Sequence, residues 1–516
     1  MPGRTKPRVA VIGAGLGGVA MAVKLHKAGI SEFTVFEASG GPGGVWWANT
    51  YPGCEVDVES AAYSYSFMRY DWSRTHAGQP EVQRYVESVL DRFGIREHFR
   101  FNAAVTSATW DEAQCRYRVG LATGETSEFE VVITAAGLLS NPRIPDWPGL
   151  DEFEGPVFHT SCYDHDVEMA GKRVAIVGTG STACQLGPAL APIVGHLDVY
   201  QREPGWVMPK GARDLSDEER AHLRKSALAR HRARFRSFRT AYKNLEGFKA
   251  DSELQKTIQS FGRHVLKKKV PDAEIRAALT PSYAWGCKRP IIADGYHEMF
   301  NRDNVTLVPH AVTSVTSTGI VSAAGEQRPA DVLILATGFQ STNFLGTVRV
   351  SGVDGTSLAD HWAGQPSAFL GMTVAGFPNL FLMYGPNTNG GWSVIVQLER
   401  QASAIIRALR STRRWGRVCI DTRPAVAARY DRWVQHRIST HLSAQSSGCS
   451  NYYRVESGRN VTQWPGSHTL YLLVTQLLAP LGWVRRRPRP AVVTAAAAGP
   501  DSSTARDLTP TEPVSG

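Results

Sequence analysis

Cysteine is sparse and unpaired in this chain. Seven occur in 516 residues, Cys54, Cys115, Cys162, Cys184, Cys287, Cys419 and Cys449, and none forms a CxxC. An odd, scattered set argues against a disulfide scaffold and a zinc site, and predicts a reduced, cytoplasmic protein without a metal. Long hydrophobic runs are missing too. The strongest, Thr469 to Val484, is sixteen residues interrupted by Pro480, short of the ~20 that span a bilayer. The first strand pattern starts within ten residues of Met1, which leaves no room for a cleaved leader. No short-period repeat is present. The formal charge of +10 gathers in Arg220–Lys249 and Arg485–Arg489. No nucleic-acid motif accompanies either segment, so solvated faces are expected and no nucleic-acid partner. A basic surface also favours an anionic nucleotide at long range.

Glycine is where the information lies. Gly13-Ala14-Gly15-Leu16-Gly17-Gly18 follows the apolar run Arg8-Val9-Ala10-Val11-Ile12, and Gly178-Thr179-Gly180-Ser181-Thr182-Ala183 follows Lys172-Arg173-Val174-Ala175-Ile176-Val177. Each reads as a buried parallel strand, a glycine turn and a helix whose N-terminus faces a pyrophosphate. The strand after the first turn, Phe33–Phe36, ends in Glu37, where a carboxylate accepts from a ribose hydroxyl. The strand after the second, Leu197–Tyr200, ends in Gln201-Arg202. Arginine there pairs with a 2′-phosphate that a carboxylate would repel. FAD is therefore expected at the first turn and NADPH at the second. Two dinucleotide sites in one chain point to electron transfer between them.

The order of segments predicts an α/β protein of two Rossmann-like dinucleotide-binding domains. The NADP domain (150–212 and 286–339) is inserted into a discontinuous FAD domain (1–145 and 340–484), with a helical insertion at 213–285. Pro142, Pro145 and Pro148 mark a linker. Ala336-Thr337-Gly338-Phe339 closes the second unit as Ala135-Ala136-Gly137 closes the first segment. The stretch 485–516 reads as a disordered tail.

Gly43-Gly44-Val45-Trp46-Trp47-Ala48-Asn49-Thr50-Tyr51-Pro52-Gly53-Cys54-Glu55-Val56-Asp57 resembles a long fingerprint of class B flavoprotein monooxygenases of the Baeyer–Villiger type. Phe153-x-Gly155-xxx-His159-xxx-Tyr163-Asp164 resembles a second one. Tyr163 is similar to the sister group of N- and S-oxygenating flavin monooxygenases, whereas Asp164 looks like a Baeyer–Villiger variant. Gly286-Cys287-Lys288-Arg289-Pro290 is similar to the family's catalytic-arginine segment. Tyr384-Gly385-Pro386-Asn387-Thr388-Asn389 resembles a loop near the flavin, and Asn451-Tyr452-Tyr453 stands where the family carries a mobile loop. The resemblance covers roughly residues 8–466.

The resemblance implies a flavin reduced by NADPH, oxygen added at its C4a carbon, and a peroxide kept deprotonated by a fixed cation so that it attacks a ketone. Arg289 suits that role because it keeps its proton near neutrality, with Asp57 orienting it. Lys288 would share the 2′-phosphate with Arg202. The cofactor-binding set implied is Gly13, Gly15, Gly17, Gly18, Glu37, Val45, Trp46, Asp57, Tyr63, Val105, Thr179, Gly180, Ser181, Thr182, Arg202, Lys288 and Arg289. The partners implied are molecular oxygen and a small ketone or heteroatom substrate. His159, on the linker, reads as a hinge or packing residue.

Three other functions stay open. A heteroatom oxygenase is favoured by Tyr163 and opposed by Asp57, Lys288 and Arg289. A disulfide reductase needs a redox cysteine pair, and Cys54 has no such neighbour. A flavin-binding protein without activity is opposed by the intact Arg289. The segment 469–489 is expected to be a core-packed helix. The alternative is a weak seat at a membrane surface, with Trp483 at the headgroups and Arg485–Arg487 facing anionic lipid.

Overall fold

A computed structural model describes residues 6–390, 393–412, 418–441 and 451–487, the side chains of 241–245 excepted. The predicted strands Val9–Ile12 and Arg173–Val177 each sit inside a five-stranded parallel sheet. In the first sheet the order is Leu380–Leu382, Val131–Thr134, Val9–Ile12, Phe33–Phe36, Phe99–Arg100. Val9 stands opposite Phe33 on one side and Val131 on the other. Alternate residues of Val9–Ile12 serve two cores: Val9 and Val11 join the helices, Ala10 and Ile12 join the opposite layer. That is the two-residue period of a strand buried on both faces. Helix Leu16–Lys27 covers one face and packs on helices Gln79–Phe93 and Val394–Ser411. Antiparallel strands Val105–Asp111, Arg116–Leu121 and Thr126–Phe129 supply hydrophobic partners on the other.

The second sheet runs Val305–Val308, His196–Tyr200, Arg173–Val177, Val332–Leu335, Val157–His159. Val174 and Ile176 face helices, while Ala175 and Val177 meet Val312, Val315 and Ile320 of an antiparallel three-stranded sheet. After Phe339 the chain goes back to the first unit. Arg349–Ser351 pairs with Ser107–Thr109, and Leu380–Leu382 pairs with Val132–Thr134.

The expected helical insertion contains helices Asp217–Lys225, Ala227–Asn244, Glu253–Lys269 and Ala273–Ala278. A capping box of Ser216 and Glu219 starts the first, satisfying two otherwise orphan amides. Its outer face is tied back by Arg220 and Arg224 on Asp71. Arg234, on the next helix, donates to the Ser64 carbonyl.

The segment expected to pack as a core helix is helix His468–Gly482, with Tyr471, Thr475, Ala479 and Gly482 buried. The expected tail boundary at 485 falls too early. Strand Trp483–Arg486 pairs antiparallel with Cys419–Thr422, because Arg486 bonds Glu112 at 2.7 Å and Asp421 at 2.9 Å. The rest of the expected tail, 488–516, lies outside the described residues.

Candidate active site

Both glycine turns have the geometry a pyrophosphate needs. Gly13 has φ +102°, and a Cβ there would lie 2.7 Å from the Ala135 carbonyl oxygen. The turn therefore requires glycine for conformation and for space. A Cβ on Gly18 would meet the Gly13 oxygen at 1.9 Å, which fixes close helix–strand packing. At Gly180 the reverse holds: an added Cβ would meet nothing within 4 Å. The backbone there faces open space. Helices Leu16–Lys27 and Ser181–Leu190 both start on a glycine without a side-chain cap, and neither has an acid in its first turn. Their first amides and positive dipole ends are left for an anion.

Glu37 lies against the first turn. Its carboxylate accepts from the Ala14 amide at 2.7 Å and from the Ser39 amide at 2.9 Å. Arg202 is exposed at the end of its strand. Thr179 donates through Oγ1 to the Glu203 carbonyl at 3.1 Å, and Ser181 and Thr182 are half-buried in the first turn of their helix. Gly15 and Gly43 form a bridge between the first turn and the short helix Val45–Ala48. On that helix the Trp46 indole N–H donates to the Tyr63 hydroxyl at 2.9 Å. Burial pushes the Tyr63 hydroxyl up, so it stays protonated. The Val105 side chain is buried in the core beneath the sheet.

The decisive pair is Arg289 and Asp57, 232 residues apart in sequence. Arg289 Nη2 donates to Asp57 Oδ2 at 2.7 Å. The arginine side chain is 45% exposed and the carboxylate 24%. Asp57 raises the affinity of Arg289 for its proton well above the ordinary arginine value, against the opposing effect of burial. Burial alone would push Asp57 up. The charge and hydrogen bond of Arg289, with Lys210 behind, hold it below the usual carboxylate range. A permanent guanidinium, oriented by one carboxylate and partly open, thus lies within electrostatic reach of the Tyr63, Tyr384 and Tyr453 hydroxyls. Tyr384 donates to Asn389 Oδ1 at 2.7 Å.

Three residues here escaped sequence reasoning. Lys210, with 0% side-chain exposure, pairs with Glu55 at 2.6 Å and donates to the Val56 carbonyl at 3.1 Å. Gln185 accepts from the Tyr51 hydroxyl at 3.0 Å and donates to the Glu55 carbonyl at 2.9 Å. Glu203 binds the Lys288 ammonium, which also lies 4.9 Å from the Tyr283 ring centre. Only Glu203 left a signal: it directly follows Arg202.

His159 ties the end of strand Val157–His159 to the turn at Gly338. Its Nδ1 accepts from the Ser161 amide at 3.2 Å, so Nε2 donates to the Gly338 carbonyl at 3.0 Å. Burial lowers its proton affinity despite that carbonyl, and it sits neutral. Tyr163 is buried, with its ring edge-on to Phe158 at 5.2 Å and to His165 at 5.0 Å. Its contacts are those of a packing aromatic.

The expectation of wholly reduced cysteines needs one correction. Cys54, Cys115, Cys162, Cys184 and Cys419 are free, but Cys287 is disulfide-bonded. Cys54 is free, and burial pushes its thiol up to about 11, unlike a reactive redox thiol. Among the described residues no group of three or more His, Cys, Asp or Glu could hold a metal.

The comparisons with known proteins bear on this geometry directly. A Baeyer–Villiger monooxygenase of Streptomyces coelicolor is 38% identical over 498 residues, covering 96% of each chain. This chain belongs to the Baeyer–Villiger monooxygenase family. A second relative of that name, from Pseudomonas aeruginosa, is 36% identical and covers 89% of this chain and 88% of its own. The pyridine nucleotide-disulphide oxidoreductase family profile matches residues 7–236. Among solved structures, cyclohexanone monooxygenase from Rhodococcus sp. Phi1 bound to NADP+ superposes with TM-score 0.82 at 31% identity. It covers 94% of this chain and 100% of its own. The family's two-dinucleotide architecture is the one described above.

Proposed function

We propose that this Baeyer–Villiger family member is an NADPH- and oxygen-dependent flavin monooxygenase that inserts oxygen beside a ketone carbonyl, giving an ester or lactone. The observation that carries the reading is the Arg289–Asp57 pair joining the two dinucleotide units. FAD belongs at Gly13–Gly18 and NADPH at Gly178–Ala183. Open space at Gly180 and two uncapped helix N-termini free of acids fit such groups. Bound flavin supplies the oxygen-activating chemistry.

The chain's own residues do the rest. Arg289 offers a cation that cannot lose its proton near neutrality, and so stabilises negative charge beside the ketone. Asp57 aims the guanidinium and keeps it from swinging into solvent. Glu37 binds the first ribose, and Arg202 and Lys288 hold the 2′-phosphate. Trp46 and Tyr63 form a wall that excludes water. The domain boundaries proposed are 1–145 with 340–484, 150–212 with 286–339, and 213–285. The setting proposed is cytoplasmic, on the five free thiols and against the one bonded cysteine, Cys287.

Oxidation of amines or sulfides has one support, Tyr163, whose ring contacts are those of packing rather than chemistry. Product analysis from a panel of ketones and sulfides, run with NADPH and oxygen, tests the reading. Esters or lactones are expected. Sulfoxides or N-oxides with no ester from any ketone would refute it.

A further inference from the structure

The outward face of helix His468–Gly482 is apolar where a solvent-facing helix is ordinarily polar. Leu473, Leu477 and Leu481 are 49%, 67% and 61% exposed. Their i, i+4, i+8 spacing puts them in one stripe, opposite the buried Tyr471, Thr475 and Ala479. The helix contains no Asp, Glu, Lys or Arg. Phe235, 67% exposed, stands on the helix Ala227–Asn244. It lies one turn before Phe238, whose ring is 5.9 Å from that of His468.

Both neighbouring helices carry arginine. Val394–Ser411 runs alongside in the same direction: Arg400 lies by His468 at one end, and Arg485 bonds Ser411 at the other. Pro424–Ile438 runs the opposite way on the other flank. The amide of Arg423 donates to the Gly482 carbonyl at 2.9 Å, and Arg437 donates to the Pro465 carbonyl at 3.4 Å. Arg407, Arg410, Arg429 and Arg432 are exposed on these two helices. The three helices hold two acids, and both are engaged: Glu399 with Ser66 and Arg234, Asp431 with Arg459.

We propose that this leucine stripe and its arginine flanks seat the enzyme on an anionic membrane surface. Leu473 to Leu481 spans only about 12 Å, and among the described residues no helix is long and apolar enough to cross a bilayer. The helix lies on the surface, with leucines entering the acyl boundary and arginines meeting lipid phosphates. A second copy of the chain fits less well. A symmetric contact through this face would bring like arginine flanks together.

The test uses full-length protein and sedimentation with phosphatidylcholine–phosphatidylglycerol vesicles or with pure phosphatidylcholine. Binding is expected to the mixed vesicles at low salt, to be weaker with the neutral ones, and to fall as salt rises. The triple variant Leu473→Ser, Leu477→Ser, Leu481→Ser should keep NADPH oxidation and lose affinity on the order of tenfold or more. A second variant, Arg407→Gln with Arg410→Gln and Arg429→Gln, should lose the preference for anionic lipid and guards against misfolding of the first. Wild-type protein left in the supernatant with mixed vesicles at low salt would overturn the proposal. So would equal binding by the leucine variant. Sedimentation velocity covers the remaining case: a wild-type dimer that the leucine changes dissociate makes the face a contact between copies, and also overturns it.

Discussion

Lys288 is not idle before NADPH arrives: its ammonium is bound to the Glu203 carboxylate and stacked near Tyr283. A 2′-phosphate reaching Lys288 and Arg202 therefore competes with a resident anion. Lys288→Ala removes one charge-assisted contact to the phosphate, about 1.5–3 kcal/mol, which is roughly 10- to 150-fold in kcat/KM for NADPH. NADH, lacking the phosphate, should change little. Glu203→Gln acts in the opposite sense. The pair it breaks is partly exposed, so its strength is on the order of 1 kcal/mol, and kcat/KM for NADPH should rise about fivefold. The double variant should show no such gain, because the competitor matters only through Lys288. Steady-state oxidation of NADPH and NADH at saturating ketone measures all four proteins. Equal losses for both nicotinamides in Lys288→Ala, or a poorer NADPH response in Glu203→Gln, would refute the competition.

Arg289→Ala should abolish oxygen insertion while flavin reduction by NADPH continues at a lower rate. Stopped-flow flavin absorbance beside product analysis checks this, and lactone at the wild-type rate would contradict it. Lys210→Met leaves the Glu55 carboxylate without its buried partner, and should destabilise the protein by about 3–5 kcal/mol in urea unfolding. Adding Glu55→Gln should recover part of that loss. His297 is buried, and burial pushes it down to about 4. Its folded-state value lies below the ordinary ~6.5, so the unfolded chain takes up the proton first as pH falls. Stability should be level in this respect above pH ~6.5 and decline towards pH 4, by ~3 kcal/mol in full. His297→Gln should flatten that slope in urea titrations at successive pH values.

The parts of this protein that could be read from its sequence are those where backbone and ligand leave one residue type possible. Gly13 and Gly18 are legible because a Cβ would strike carbonyl oxygens. Strands such as Val9–Ile12 and Val332–Leu335 are legible because they are buried on both faces and wholly apolar. The Asp57–Arg289 pair became legible only through the family fingerprint, since nothing local links residues so far apart. Glu203, Lys210 and Gln185 were missed for the same reason: their partners are 85, 155 and 130 residues away. Burial is likewise a tertiary property. Composition showed the apolar segment 469–484, but not that Leu473, Leu477 and Leu481 would turn outward while Tyr471 and Thr475 turned in. Arg485 and Arg486 looked like tail because their strand partner, Cys419–Thr422, is remote.

The fingerprint Tyr51-x-Gly53-x-Glu55-x-Asp57 takes on a physical meaning in this light. Every alternate residue of it meets the second unit. The Tyr51 hydroxyl bonds Gln185. Gly53, with φ +79°, lies where a Cβ would be 2.5 Å from the Gln185 carbonyl oxygen. Glu55 pairs with Lys210, and Asp57 with Arg289. The four contacts use a hydroxyl, a missing side chain and two carboxylates, so no one residue type could serve throughout. Together they register one dinucleotide unit against the other along a single edge. Hydride transfer between two separately bound dinucleotides depends on their relative placement within fractions of an ångström. A motif written along one short turn-bearing segment is therefore better understood as the seam that sets this distance than as a cofactor-binding loop alone. Arg289, the proposed catalytic cation, is held by the last stitch of that seam, which couples its position to the alignment of the two units.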